Sequence, residues 1–316
     1  MLLTDRIYHD MFELILRGEF QPGEKFLTEQ EAIERYKASR VTVRRAFAML
    51  EENRVISRKQ KVGSVVNSSF SAFEGNLKTI AAVVPLYSHF VRSFLATLCC
   101  EASKRNVITI LEPAATGKAQ NEALTRLVLH GVRDIVIWGA DRDLNMDLCL
   151  RLRILGVNLT FFDQIDPGEI ADYVCLDNYA AINDLLDKAA EINVKNIFYA
   201  IYEGGCIDTE RERFEACREI CKQRNWNFST TLPESFPPDS AIVAVNDENA
   251  MKVVNYNVPV FSIDGLDQCR KLGVTSYRQP MDELAKSCFE SLLRQRKLGS
   301  NWHARQYRLR HEDPFA

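Results

Sequence analysis

The chain has 316 residues, 46% of them hydrophobic and 26% charged, with a net charge of −3; this is the composition of a folded globular protein, and the length suits two or three domains. No apolar run approaches the roughly 18 residues of a membrane span, and the opening MLLTDRIYHD holds acids where a signal peptide has a basic and then an apolar stretch, so a cytoplasmic protein is expected. Nine cysteines without a CxxC pair, and five histidines without paired spacing, argue against a disulfide framework or a zinc site, and no cofactor is expected.

The charge is unevenly placed. Residues 1–67 carry 12 Lys and Arg against 10 Asp and Glu, leaving 28 against 33 for the remainder. Between Arg35 and Lys61 stand nine basic residues and two acids, Glu51 and Glu52. A basic module on an acidic body suits nucleic-acid binding, because phosphate neutralisation supplies most non-specific affinity; a solvated charged face is the alternative.

A first helix is expected over Thr4–Arg17, with Thr4 as N-cap and Ile7, Met11, Leu14 and Ile15 on one face. After the turn GEFQPGEKF, Thr28 caps a second helix over Glu29–Tyr36, and Glu31, three residues on, completes a capping box. A third helix follows over Ser39–Asn53. Val43, Phe47 and Leu50 form its apolar stripe, Arg40 and Arg44 lie on another face, and Ser39 serves as N-cap or phosphate ligand. Short strands at Val55–Ser57 and Val65–Asn67 flank the basic turn RKQKVGS, where Gly63 is available for a positive φ. Three helices and a β-wing make a winged helix-turn-helix over residues 1–67.

The series GEFQPGEKFLTEQEAIERY…ASRVTVRRAFAMLEENRVISRKQKVGSVV resembles the GntR-type DNA-binding domain. The resemblance implies that the third helix enters the major groove of an operator while the wing touches the minor groove. It makes Arg40 and Arg44 base or phosphate contacts, Ser39 and Thr42 phosphate-positioning groups, and Gly63 the wing tip; the basic excess adds Lys59 as a DNA-binding candidate. Two departures stand out: the usual Leu-Pro-Ser-Glu-Arg is Phe26-Leu27-Thr28-Glu29-Gln30 here, and Val41 occupies a position where threonine is common.

Residues 68–78 are rich in Ser, Gly and Asn and read as a linker. With so little apolar content the linker is expected to leave the head loosely tethered, so that coupling passes through head spacing in a dimer. From 79 to 316 apolar strands alternate with helical segments. TIAAVVP, NVITILEP, DIVIWGA and NLTFFDQ form one series, and NIFYAIY, AIVAVND and VPVFSID form a second, with helices at Ala180–Ile192, Thr209–Arg224 and Met281–Lys297. The expected fold class is therefore α/β, a winged head followed by a two-lobed, doubly wound parallel-sheet domain.

Ligands of such sheets bind beyond the strand ends, which here carry Tyr87, Ser88, His89 and Phe90, then Trp138, Asp163, Tyr202, Asn246 with Asp247, and Asp264. Carboxylates and amides can hold hydroxyls, and aromatic rings can cover a sugar face. Asp247 reads better as a helix cap, whereas Asn246 and Asp264 read as binding groups. No GxSxG elbow, Walker loop or HExxH occurs.

VPLYSHFVRSFLATLCCEASKRN, the pair Asp177–Asn178, TERERFEAC, AIVAVNDENA and VPVFSIDG followed by TSYRQP resemble, in that order, the effector domain of LacI/GalR-type repressors, itself similar to periplasmic sugar-binding proteins. The resemblance makes Arg213 the ligand clamp, with Arg211 a lesser candidate, and assigns binding to Asn246 and Asp264. The family's glycine after that arginine is absent, replaced by Glu215 and Ala216. Together the two resemblances imply a layout similar to the arabinose-repressor type, and the expectation is a ligand-responsive repressor, not an enzyme, acting as a homodimer on a palindromic double-stranded operator and sensing a sugar. The other class left open is a cytosolic carbohydrate-binding or carbohydrate-modifying protein.

Overall fold

Capping chemistry sets the first helices of the computed structural model, which describes residues 2–68, 77–85, 89–200 and 207–315, with the backbone alone at 89 and 90. Helix α1 (Leu3–Leu16) starts behind Leu2, which offers no side-chain cap, so Thr4 lies inside the helix and is not the expected N-cap. Its entry depends instead on burying Ile7, Tyr8, Met11, Phe12 and Ile15. Helix α2 (Glu29–Tyr36) has the reciprocal box: Glu31 N–H donates to Thr28 Oγ1 at 3.2 Å and Thr28 N–H to Glu31 Oε2 at 2.7 Å. Ser39 caps α3 (Arg40–Glu52) by accepting from Thr42 N–H at 3.2 Å. Val43, Ala46, Phe47 and Leu50 face inward from α3, which packs on α1.

The wing is an antiparallel pair, β1 (Ile56–Lys59) and β2 (Gly63–Val66), with Lys59 opposite Gly63. It reaches further toward its tip than the expected 55–57 and 65–67, because Arg58, Lys59 and Ser64 join the ladder despite their polarity. Gly63 has φ +100, which a side chain would resist.

The first lobe runs β3 (Thr79–Val84), α4 (His89–Ser103), β4 (Ile108–Pro113), α5 (Gly117–Leu129), β5 (Asp134–Trp138), α6 (Met146–Ile154), β6 (Asn158–Phe162) and β7 (Asp172–Leu176). The chain then enters the second lobe with α7 (Asn178–Glu191), β8 (Asn196–Ala200), α8 (Asp208–Gln223), β9 (Asn227–Ser229), β10 (Ser240–Ala244), α9 (Asp247–Val253), β11 (Val260–Asp264), α10 (Asp267–Lys271) and β12 (Thr275–Arg278). Helix α11 (Met281–Leu298) and strand β13 (Gln306–Leu309) return to the first lobe. The strand orders are β13-β7-β6-β5-β3-β4 and β12-β11-β10-β8-β9, with parallel pairing throughout both sheets among the described residues. Such sheets are covered on both faces, so β5, β6, β7 and β10 are buried along their whole length.

Helix α11 was expected to close the second lobe and instead closes the first. A buried polar network holds it there: Gln295 bridges the N–H and carbonyl of Leu159, Ser291 meets Thr160 at 2.7 Å and Asp172 at 2.7 Å, and Arg296 pairs with Asp134 at 2.6 Å. These partners lie far from α11 in sequence, so its periodicity alone could not assign its lobe. After β13 the chain crosses once more, Arg278 N–H donating to the Pro314 carbonyl at 2.9 Å and Phe315 meeting the Tyr277 ring.

The head is not loosely tethered in this structure. Helix α1 lies against α5 and α6, and its buried residues form one apolar cluster with Leu124, Leu127, Val128 and Leu148 of the first lobe. Arg151 Nε donates to the Leu16 carbonyl at 3.0 Å, placing a cation at the C-terminal end of α1, and the His9 and His130 rings meet edge to face at 5.8 Å. The docking surface comes from α1 itself, so linker composition does not decide how firmly the head is held. Arg151→Ala should weaken docking by about 1.5 kcal/mol. Amide exchange should then quicken in the last turn of α1 and stay unchanged in β5; unaltered protection in α1 would contradict the docking.

Candidate functional site

The head presents a basic face organised by one acid. Glu29, at the start of α2, receives Arg44 Nε at 2.9 Å, Arg58 Nη2 at 3.3 Å and Arg40 Nε at 3.9 Å. Arg58 also reaches Glu51 at 2.5 Å. The hydrogen bond from Arg44 is the chief reason the Glu29 carboxyl sits below its ordinary range; its slight burial opposes this, and the charges of Arg44, Arg58 and Arg40 add to the lowering. The side chains of Arg40 and Arg44 remain 70% and 57% exposed, so the acid aligns them without removing them from solvent. Ser39 Oγ and Thr42 Oγ1 lie 2.8 Å apart, one hydroxyl occupied with the other, while Lys59 and Gly63 are exposed on the wing. The residue-type reading did not single out Glu29 or Arg58 for this surface; the charge of Glu29 right after the Thr28 cap was the available signal.

The second constellation lies between the lobes. A cavity of ≈ 140 Å³ is lined by Trp138, Asp163 and Gln164 from the first lobe and by Thr209, Glu210, Arg213, Asn246, Asp264 and Gln279 from the second lobe and its exit. Most of these follow the carboxyl ends of parallel strands, where the backbone leaves the sheet and side chains of successive loops converge. Asp163, Asp264 and Gly265 take positive φ values of +60, +138 and +77. A Cβ on Gly265 would lie 2.6 Å from Arg278 Cα, so glycine is required beside Asp264. Local backbone strain of this kind is common at binding sites.

Arg213 is 4% exposed and anchored on both sides, Nε donating to Asn178 Oδ1 and Nη1 to the Val245 carbonyl, each at 2.9 Å. Around it stand four carboxylates. Burial raises Asp163, against the pull of Arg213 and a Thr209 hydrogen bond, and burial also raises Glu210. Asp264 is pushed up to about 7, first by burial and then by Asp247 and Asp163, with Arg213 and Gln279 opposing. Glu212 is half-buried, and although burial pulls it upward it falls below its ordinary value through hydrogen bonds from Arg308 and Asn178 and the charges of Arg308 and Arg213. Because Arg308 belongs to the first lobe and Glu212 to the second, their 2.9 Å pair also spans the lobes.

Five residues expected from the sequence therefore share this cavity: Trp138, Asp163, Arg213, Asn246 and Asp264. Trp138 is 2% exposed between Phe94 and Phe162, so it forms a floor and not an open stacking platform. Tyr202 lies outside the described residues, as do Tyr87, Ser88 and the side chains of His89 and Phe90. Arg211 is turned away to Asp208 at 2.7 Å. The capping role expected of Asp247 belongs to Asn246, whose Oδ1 accepts from Asn249 N–H at 2.9 Å. Asp247 instead braces α9, accepting from Ser262 at 2.5 Å, Ser276 at 2.6 Å and Leu266 N–H at 2.7 Å. Gln164, Thr209, Glu210 and Gln279 were not anticipated, although Gln164 and Gln279 directly follow strand-end residues, which was their signal.

Comparison with known proteins matches residues 3–66 to the family described as "Bacterial regulatory proteins, gntR family". The body resembles the trehalose repressor from Escherichia coli at 16% identity and a TM-score of 0.61, covering 74% of this chain and 98% of that one. A LacI family transcriptional regulator from Enterococcus faecium with bound ribose aligns at 20% identity and 0.59, covering 75% and 98%. The lac repressor dimer bound to operator and the anti-inducer ONPF aligns at 12% and 0.61, covering 74% and 91%. Residues 3–66 are a GntR-family head, joined to a body with the fold of LacI-type regulators. Among the described residues no helix is long and apolar enough to cross a membrane, and no cluster of His, Cys, Asp or Glu is placed to hold a metal ion.

The raised carboxyl of Asp264 gives this GntR-headed chain a pH signature. Its folded value of about 7 exceeds the ordinary 3.8, so its contribution to stability is fully present below about 3.8 and is lost as pH rises through about 7. Relative to Asp264→Asn, the wild type should therefore lose thermal stability between about pH 5 and about pH 8. A constant difference across that window would show that Asp264 titrates normally.

Proposed function

We propose that this chain is a ligand-responsive transcriptional regulator whose GntR-type head binds an operator and whose two-lobed body senses a small polar metabolite of the sugar class. The observation that carries the reading is the presence, on one chain, of an exposed arginine face aligned by Glu29 and a strand-end cleft of carboxylates and amides around Arg213. Carboxylates, amides and a guanidinium at fixed positions suit several hydroxyls held in one geometry. A homodimer on a palindromic operator follows from the geometry of paired heads, since two half-sites joined in one assembly gain effective concentration. The chain acts by binding in the cytoplasm, as a repressor, and performs no chemistry on the ligand.

Docking supplies a route between the parts. Gln120 of α5 is fully buried, donating to the Trp138 carbonyl and accepting from Ala140 N–H at 2.9 Å, so α5 is tied to the strand end that floors the cleft. The same helix carries Leu124 and Leu127, which share an apolar cluster with α1 of the head, and ends at His130, whose ring meets that of His9. A ligand that shifts the β5 end would therefore bias how α1 seats, and affinity for DNA would change with it.

Operator DNA selected from a random pool tests the head. Arg40→Ala and Arg44→Ala should each weaken specific binding by about 1–3 kcal/mol, while Lys59→Ala should weaken all sequences alike and reduce the salt slope by about 1. A thermal-shift screen of sugars tests the body: a ligand that stabilises the wild type should lose its shift in Arg213→Ala and Asp264→Ala. Unchanged operator affinity in both head variants would refute the DNA surface, and sugar turnover by the wild type would favour a carbohydrate-modifying protein instead.

A further inference from the structure

Carboxylates outnumber cations in the lining of the cleft. Asp163, Glu210 and Asp264 line it as carboxylates, with Glu248 at its edge. Gln164 and Gln279 line it as well, and the Oε1 atom of each is buried without a hydrogen-bond partner among the described residues. Gln279 is 4% exposed and its orientation is fixed, because its Nε2 donates to Asp264 Oδ1 at 2.9 Å. Its buried carbonyl oxygen is left without a donor among the described residues, an arrangement that costs free energy unless a donor reaches it.

Positive charge is scarce by comparison. Among the described residues lining the cavity Arg213 is the only cation, and its Nε and Nη1 are engaged by Asn178 and the Val245 carbonyl. Another guanidinium, Arg278, lines an adjoining cavity that shares Asp264 and Gln279. At the N-termini of α8 and α9, the chain supplies its own acids: α8 carries Asp208 and Glu210 in its first turn, and α9 carries Asp247 and Glu248.

We propose that the ligand of this cleft is a polyhydroxylated molecule bearing no negative charge, and that phosphorylated sugars and sugar acids are excluded from it. The proposal rests on the sensing role assigned above and adds the charge class of what is sensed. Hydroxyl groups can donate to these carboxylates and amide oxygens, whereas a phosphate or carboxylate oxygen would face groups of like polarity. Like charges brought together out of water disfavour binding strongly, and a buried carboxylate pair is relieved only by a proton. The single available edge of Arg213 is set among the carboxylates it already offsets.

The test is a calorimetric and thermal-shift panel on the full chain, using ribose, glucose, xylose, sucrose and trehalose, and the phosphate ester and the uronic acid of each sugar where one exists. At least one neutral sugar should bind, with its phosphate ester and acid weaker by about a hundredfold or more, a factor of ten being about 1.4 kcal/mol. Glu210→Gln, which removes one charge from the lining, should narrow that ratio by favouring the anionic partner, an effect that a purely structural role would not produce. Binding of a phosphate ester or uronic acid as tight as its neutral parent would overturn the charge inference while leaving the sensing role intact. If no sugar, charged or neutral, binds, the sensing role itself fails and this inference with it.

Discussion

The buried guanidinium of Arg213 is the interaction on which the body depends. It is donated by α8, fastened to Asn178 at the first crossing between the lobes, and fastened again to the carbonyl that ends β10. From there it offsets Asp163 across the cleft and Glu210, Glu212 and Asp264 on its own side. Without that cation, Asp163, Glu210 and Asp264 would lose the positive charge that opposes their burial, and they would protonate or separate. The same arrangement leaves the cleft acceptor-rich, because the cation is used largely to support its neighbours. Ligand recognition and lobe geometry therefore draw on a single charge.

A second dependence runs outward from the cleft. Parallel strands end at the ligand side, and the helices that follow them carry the chain away to the opposite surface. Helix α5 spans that distance, with Gln120 on the β5 end and His130 beneath the head. A rigid helix seated at both ends transmits a small shift better than a flexible segment does, which is why docking of α1 matters more than the composition of residues 68–78. Interlobe pairs such as Arg308–Glu212 and Arg142–Asp208 would be remade whenever the lobes change their separation.

How much of this was legible in the sequence depends on range. The head was legible because its determinants are local: Thr28 and Glu31 lie one turn apart, Ser39 caps its own helix, and Val43, Phe47 and Leu50 repeat at helical spacing. Thr4 misled because a good capping residue stood near a boundary that apolar burial set elsewhere. In the body, strands buried on both faces announced themselves as apolar runs, but β13, with the sequence QYRL, gave no such signal and is a strand only because β7 offers a parallel edge. The lobe membership of α11 and the docking of α1 depend on partners more than 100 residues away, such as Arg151 with Leu16 at a separation of 135. Strand-end acids were conspicuous by type; Gln164 and Gln279 were not, since a glutamine matters only once burial has stripped its oxygen of other partners.

The claim that joins these parts is that occupancy of the cleft reaches the DNA surface through the docked helix, within one protomer. Fluorescence anisotropy on a single operator half-site, with and without a saturating concentration of whichever sugar stabilises the wild type, measures this directly. The account predicts that half-site affinity changes by about fivefold or more in the wild type, and by much less when Gln120→Ala releases α5 from the end of β5. Half-site affinity that is indifferent to the bound sugar, while a two-half-site operator still responds, would contradict it and return the coupling to the spacing of the heads.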